Sequence, residues 1–153
     1  MISLLSYLGT MKEPSIFFFK EGVKFRLSDR QKLQHWIIKM TKKESHDIEN
    51  LNFIFCTDKY LKQINNSYLN HDYFTDIITF DNSTSNKEIT GDIFISIDRV
   101  KVNALLYNVS FRDELNRVMA HGVLHLLGYG DKNEKARKEM RVMEDSWLEK
   151  RGF

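Results

Sequence analysis

Four short apolar segments alternate along the chain with stretches of helical periodicity, and this alternation limits the fold more than any other feature. The segments are rich in Ile and Phe, which favour β-strands. We predict strands at Ser15–Phe19, Leu51–Cys56, Thr75–Phe80 and Gly91–Ile97. Because only a short polar stretch separates the last two, they are expected to pair as a hairpin.

The remaining segments predict five helices. The first begins at a capping box formed by Ser28 and Gln31. The buried face of this helix is expected to contain Leu33, Trp36, Ile37 and Met40. The next three helices have predicted N-caps at Thr57 or Asp58, Asp98 and Ser110, and the last helix covers roughly Asn133 to Lys150. The last is expected to bury Ala136, Met140, Met143 and Trp147. The fold class is therefore α/β (α+β), a four-stranded mixed sheet layered with about five helices.

The length of 153 residues predicts one domain, residues 1–153, with residues 1–14 as a loosely ordered N-terminal segment. The single cysteine, Cys56, excludes an internal disulfide, fits a reducing compartment and is interpreted as a core residue.

There is no run of 18 apolar residues, and the first basic side chain is Lys12. These features predict a cytoplasmic protein without a membrane span. Met1 and Met11 both remain candidates for the start.

The segment HGVLHLLGYGD combines a pair of histidines with a glycine turn. His121 and His125 are four residues apart, so on a helix both imidazoles can face one ion. Gly128 and Gly130 permit a turn that brings Asp131 back towards them. Two nitrogens and one carboxylate oxygen would leave a fourth position open, as in catalytic zinc sites. The alternative is a core helix with hydrogen-bonded histidines and an ordinary glycine C-cap.

Gly122 bears on the reaction class. Helical zinc proteases carry a glutamate immediately after the first histidine, where it acts as general base. A glycine has no such group, whereas a phosphodiester brings charged oxygens that a cation can bind. The residues therefore favour phosphoryl chemistry over peptide cleavage, with a small zinc metalloprotease as the alternative.

Three separated blocks resemble the YbeY family of metal-dependent endoribonucleases. HGVLHLLGYGD resembles the family pattern H-G-x-L-H-L-x-G-Y-D-H, YLNHDYFTDIITF resembles Y-R-x-x-D-x-P-T-D-V-L-S-F, and GDIFIS resembles G-D-I-x-I-S. The resemblance covers residues 61–147, more than half of the chain. It implies a four-stranded mixed sheet with surrounding helices, in agreement with the pattern of elements.

The same resemblance implies a zinc-dependent, single-strand-specific endoribonuclease of the bacterial cytoplasm. Its partners would be single-stranded RNA, ribosomal RNA and the small ribosomal subunit, and its roles would be ribosomal RNA maturation, notably at the small-subunit 3′ end, and ribosome quality control. We expect one Zn²⁺ per chain on His121, His125 and Asp131, activating a water for in-line attack. A non-catalytic ribosome-assembly factor with a structural zinc is the second alternative.

The chain departs from the family pattern at three positions. Asp131 stands where the family usually has a third histidine ligand, although a carboxylate also suits zinc. Leu69 replaces an arginine that, in the family, lies near the metal and supports RNA cleavage. Phe74 replaces a proline, whereas Thr75 and Asp76 match.

Candidate RNA contacts lie in the loop before Thr75 and directly after Asp131. His71 and Tyr73 could stack on a base or meet a phosphate, and Lys132 adjoins a predicted ligand. The alternative interpretation of His71 and Tyr73 is that they belong to an ordinary polar surface loop.

The basic residues that follow Lys132 are interpreted mainly as a solvated helix face, with ion pairs Glu134–Lys138 and Lys135–Glu139. Of Arg112 and Arg117, at least one is expected to face solvent. The net charge of +2 permits a polyanion partner without requiring one, and the sequence leaves the oligomeric state open.

Overall fold

The strands form one mixed sheet with the order β1-β2-β4-β3. The computed structural model describes residues 13–71 and 74–153. Its strands are β1 (Ser15–Glu21), β2 (Asp47–Cys56), β3 (Ile77–Asp81) and β4 (Glu88–Ser96). The strands β1, β2 and β4 are parallel, while β3 runs antiparallel to β4. The predicted mixed sheet and the predicted pairing of the last two strands are both confirmed.

Five helices follow the predicted order within the described part of the chain: α1 (Arg30–Lys43), α2 (Asp58–Leu69), α3 (Ile97–Tyr107), α4 (Phe111–Leu126) and α5 (Glu134–Glu149). The predicted N-caps at Thr57 and Ser110 are confirmed, because each side chain accepts a hydrogen bond from a backbone N–H in the first turn. Asn133 caps α5 in the same way. None of these helices has the length and apolar character needed to cross a bilayer.

The predicted capping box at Ser28 and Gln31 was wrong. The N-cap of α1 is Asp29, which adopts a left-handed conformation with φ of 57° and makes no side-chain cap. Its carboxylate instead accepts a hydrogen bond from Arg112 of α4 at 2.7 Å. A contact between distant segments therefore takes the place of the local motif.

The prediction that Asp98 caps the third helical segment was also wrong. Ser96 is the N-cap of α3, and its hydroxyl accepts a hydrogen bond from the Arg99 N–H at 3.1 Å. Asp98 lies in the first turn and accepts from the backbone N–H of Asp58 at 2.9 Å. This bond joins the starts of α2 and α3.

The main core lies where α1 and α4 pack against one face of the sheet, with α5 packed on α4. The predicted buried face of α1 is confirmed, since all four of its apolar side chains are buried. The Trp36 indole N–H donates to the Trp147 carbonyl at 2.9 Å and ties α1 to α5. Of the face predicted for α5, Met140 and Trp147 are buried, whereas Ala136 and Met143 are half-buried.

A smaller apolar cluster lies between α2 and the sheet. It contains Cys56, Leu61, Ile64 and Ile78. Burial, helped by the nearby carboxylates, raises the pKa of the Cys56 thiol to about 12. The thiol therefore stays protonated at neutral pH, and the interpretation of Cys56 as a core residue is confirmed.

Two glycines allow α4 to lie close to the hairpin formed by β3 and β4. A Cβ at Gly122 would be 2.9 Å from Ile77 Cδ1 and 2.9 Å from Ile93 Cγ2. A Cβ at Gly91 would be 2.9 Å from the Phe80 carbonyl oxygen, with the Leu126 side chain 3.0 Å away. The helix therefore fits at this distance only because both residues lack a side chain.

Of the predicted loose N-terminal segment, residues 1–12 lie outside the described residues. Residues 13 and 14 precede β1 without regular secondary structure.

We predict that Gly122→Val lowers the free energy of unfolding by at least about 2 kcal/mol, because the added methyl groups overpack the contact with Ile77 and Ile93. Gly130→Val is the matched control, since nothing lies within 4 Å of a Cβ there. Its effect should stay within about 0.5 kcal/mol. Urea unfolding monitored by circular dichroism measures both. Equal stability of the two variants would contradict the close packing of α4.

Candidate metal centre

Helix α4 places His121 and His125 on one face, one turn apart. Their Nε2 atoms are 2.9 Å apart, and the two rings meet nearly edge to face. Both side chains are mostly buried, with 22% and 27% of their surface exposed. The predicted juxtaposition of the two imidazoles is thus present.

The turn after α4 reverses the chain through a Schellman motif. Gly128 has φ of 100° and donates its N–H to the His125 carbonyl, while the Tyr129 N–H donates to the Leu124 carbonyl, both at 3.0 Å. The Tyr129 hydroxyl donates to Glu44 at 2.9 Å and fastens the turn to the end of α1. The predicted role of Gly128 is confirmed, whereas Gly130 does not use a left-handed conformation.

Asp131 returns to the histidines beyond this turn. Its Oδ2 atom lies 3.2 Å from His125 Nε2 and 3.5 Å from His121 Nε2. Tetrahedral zinc with ligands at ~2.0–2.1 Å separates neighbouring ligand atoms by about 3.3 Å. The three observed spacings, 2.9, 3.2 and 3.5 Å, bracket that value. Together, these residues could hold a metal ion.

Glu144 of α5 lies behind His121 and was missed by the sequence analysis. Its Oε2 atom is 3.0 Å from His121 Nδ1, and its Oε1 atom accepts from Arg117 at 3.2 Å. Burial lowers the pKa of His121, but the carboxylates of Glu144, Asp76 and Asp131, Glu144 foremost, outweigh burial and raise this pKa above its ordinary value. The sequence contained one signal for a buried Glu144. This residue lies on the face of α5 that contains the buried Met140 and Trp147, whereas the rest of the helix is largely polar.

Two adjoining clefts open beside the cluster, and both include His121 and Asp131 in their walls. The first, here called the arginine cleft, has a volume of about 320 Å³ and includes Asp76, Asn103, Tyr107, Glu114, Arg117, Arg141 and Glu144. The second, here called the lysine cleft, has a volume of about 480 Å³ and includes Leu69, His71, Thr75, Asp76, Thr79, His125 and Lys132. An extended substrate lying across both clefts would pass the three converging side chains.

The structure brings two of the three predicted RNA contacts to the lysine cleft. His71 and Lys132 both line it, while Tyr73 lies outside the described residues. Leu69 also lines this cleft and contributes apolar surface. Phe74, which replaces the proline of the family pattern, packs its ring beneath the cations of Lys62 and Arg99.

Of the two arginines of α4, one lies on the surface and the other faces the site. Arg112 is 44% exposed and pairs with Asp29, which agrees with the expectation that one arginine of α4 faces solvent. Arg117 instead faces the arginine cleft and pairs with Glu144 and Asp145. The predicted surface pair Glu134–Lys138 is present at 3.2 Å.

Two carboxylic acids of the arginine cleft have perturbed acidity. Burial raises the pKa of Asp76 above its ordinary value, partly offset by the charge of His121. Burial, together with the charge of Asp76, likewise raises the pKa of Glu114. Perturbed acids gathered in a cleft beside candidate metal ligands are typical of functional sites.

Comparison with known proteins connects this site to a family. The family model described as Endoribonuclease YbeY matches residues 18–152. An Endoribonuclease YbeY of Cytophaga hutchinsonii is 54% identical over 143 residues, which is 94% of this chain and 100% of the relative. One of Karelsulcia muelleri is 51% identical and covers 82% of this chain and 88% of the relative.

The chain belongs to the YbeY family, and so to a group of hydrolytic nucleases. A Thermotoga maritima protein solved in solution has a similar fold, with a TM-score of 0.64, 28% identity and coverage of 89% of this chain and 88% of that one. The resemblance found in the sequence is confirmed, as is its fold. Against the YbeY pattern, Asp131 occupies the position of a histidine and Leu69 that of an arginine.

We predict that Glu114→Gln raises the free energy of unfolding at pH 7 and that this gain disappears below about pH 4. Folding raises the pKa of Glu114 above 4.5, so the wild-type protein loses stability as the pH rises through the raised pKa. Glutamine removes the charged form and with it this loss. Urea titrations of both proteins from pH 4 to pH 8 test it. A gain that is constant across this range would rule out the carboxyl charge as its source.

Proposed function

We propose that this chain is a zinc-dependent endoribonuclease that cleaves single-stranded RNA. Its proposed role is ribosomal RNA processing in the cytoplasm, including maturation of the small-subunit 3′ end, and ribosome quality control. The proposed partners are ribosomal RNA and the small ribosomal subunit. Residues 1–153 would form a single metal-dependent hydrolase domain. The observation that carries the proposal is the convergence of His121, His125 and Asp131 between two clefts in a chain of the YbeY family.

The donor set fits zinc in both chemistry and spacing. Imidazole nitrogens and a carboxylate oxygen are ordinary zinc ligands, and three of them leave one coordination position open. When bound, such an ion supplies Lewis acidity and lowers the pKa of a coordinated water. His121, His125 and Asp131 would hold the ion; His121 and Asp131 border both clefts, and His125 borders the lysine cleft. The substrate would therefore reach the ion from the open side.

The environment of Gly122 supports phosphodiester rather than peptide chemistry. A Cβ at position 122 would lie 2.9 Å from Ile77 and from Ile93 of the sheet. A glutamate would therefore not fit at this position unless those side chains moved. The general base of helical zinc proteases therefore has no equivalent at this position, and the protease alternative loses its main catalytic group.

Cations around the clefts support an anionic substrate. Lys132 lines the lysine cleft, and Arg141 lines the arginine cleft with 60% of its side chain exposed. A phosphodiester backbone that crosses the site would meet positive charge on both sides of the cluster. Leu69 gives no charge where the YbeY pattern has arginine, so we expect slow cleavage.

The apolar side chain of Leu69 also favours one alternative, a ribosome-assembly factor that binds zinc without cutting RNA. A structural zinc usually has four protein ligands. Among residues 13–71 and 74–153, the cluster has three candidate ligands. This number and the two adjoining clefts support the catalytic proposal.

We predict that the protein binds about one zinc per chain and that Asp131→Ala loses most of it, because one of three ligands is removed. Asp131→His restores the YbeY ligand set and should hold zinc at least as tightly as the wild type. Native mass spectrometry and chelator competition measure both, with His121→Ala as the reference for a damaged site. If Asp131 serves only the turn, Asp131→Ala will keep wild-type zinc affinity.

We predict that the zinc-loaded protein cleaves labelled single-stranded RNA slowly and leaves casein intact. Cleavage should fall as salt increases from about 50 to 200 mM, because phosphate contacts are screened. His125→Ala is the control for contaminating nuclease and should be inactive. The assay follows product lengths on a denaturing gel.

Three other results have distinct meanings. Intact RNA together with degraded casein would support the protease. Equal RNA cleavage by wild type and His125→Ala would assign the activity to a contaminant. No cleavage of either substrate, combined with binding to the small ribosomal subunit, would favour the assembly factor.

A further inference from the structure

We propose that Glu144 is a positioning residue that holds His121 in the tautomer and orientation required to bind a cation at the cluster, with Arg117 fixing Glu144 in turn. This inference rests on the metal centre of the proposed function. It assigns a role to a buried carboxylate of α5 that lies outside the set of candidate ligands.

The two oxygens of Glu144 have different partners. Oε2 faces Nδ1 of His121 at 3.0 Å, and Oε1 accepts from Arg117 at 3.2 Å. A carboxylate at this distance accepts the Nδ1 proton, which leaves the lone pair of a neutral imidazole on Nε2. Nε2 is the atom that faces His125 and Asp131. Glu144 thus selects the nitrogen that is free to bind a cation.

Arg117 determines which way Glu144 points. Arg117 and His121 are one turn apart on α4, so a single carboxylate from α5 reaches both. The second guanidinium nitrogen of Arg117 donates to Asp145 at 2.7 Å. The guanidinium therefore bridges two consecutive acids of α5, and this bridge restricts rotation of the Glu144 side chain.

The burial of Glu144 argues against a purely structural role. Only 7% of its side chain is exposed, on a helix face that otherwise packs through Met140 and Trp147. Burying a charged pair is often no more stabilising than apolar packing of the same volume. Carboxylates that accept from a metal-binding histidine orient the ring and raise its basicity, which accounts for a charge at this position.

The test compares zinc affinity and histidine tautomers in full-length variants. Glu144→Met keeps the length of the side chain but removes the acceptor, and we expect it to weaken zinc binding about 10- to 100-fold. Glu144→Gln keeps an acceptor oxygen but removes the charge, so a smaller loss is expected. Glu149→Gln makes the same change at an exposed position of α5 and should bind zinc as the wild type does.

Chelator competition measures the zinc affinities, and nitrogen NMR of ¹⁵N-histidine-labelled protein without zinc reports the protonated ring nitrogen of His121. The wild type and Glu144→Gln should carry the proton on Nδ1, whereas Glu144→Met should lose this preference. Circular dichroism shows whether each variant is folded. If Glu144→Met does not fold, Glu144→Gln and Arg117→Met still provide the test. Both variants keep an acceptor beside His121, and the proposal expects both to bind zinc more weakly than the wild type.

Two outcomes separate this inference from the proposed function. Zinc binding by the wild type that depends on His121, with unchanged affinity in all folded variants of Glu144 and Arg117, would overturn the positioning role alone. Zinc binding that is the same in wild type and His121→Ala would overturn the metal centre itself, and the role of Glu144 with it.

Discussion

The close contact between α4 and the β3–β4 hairpin is the constraint on which the site depends. Gly122 and Gly91 remove the side chains that would hold the helix away from the sheet. At this distance Met119, Ala120 and Val123 are buried on the inner side of α4. Because the helix is fixed in rotation by that burial, His121 and His125 must face the clefts. Gly122 is thus required by packing, whatever reaction the site performs.

The end of α4 turns this packed helix into a three-residue site. Gly128 allows the Schellman turn, which satisfies the last carbonyls and sends the chain back along the helix. Tyr129 then fastens the turn to Glu44, so the position of Asp131 depends on α1 as well as on the turn. The turn and its bond to α1 together place the carboxylate at the position where the YbeY pattern has histidine.

Much of the fold followed from local patterns, and the errors have a common cause. The strands, the hairpin and the caps at Thr57 and Ser110 depend on residues close in sequence. The capping box at Ser28 failed because Asp29 pairs with Arg112, which is 83 residues away. The cap at Asp98 failed because Ser96 lies nearer the helix start and Asp98 is used by α2. Where a distant partner competes for a polar side chain, local propensity loses its predictive value.

The sequence by itself determined that His121 and His125 share a helix face and that the helix ends at Gly128, because helical periodicity and the left-handed turn are properties of neighbouring residues. Only the tertiary structure decided which side chains surround them. Glu144 and Arg117 meet across 27 positions of sequence, and the two clefts combine residues from several strands and helices. No spacing rule links such residues, since their proximity comes from how the helices pack on the sheet.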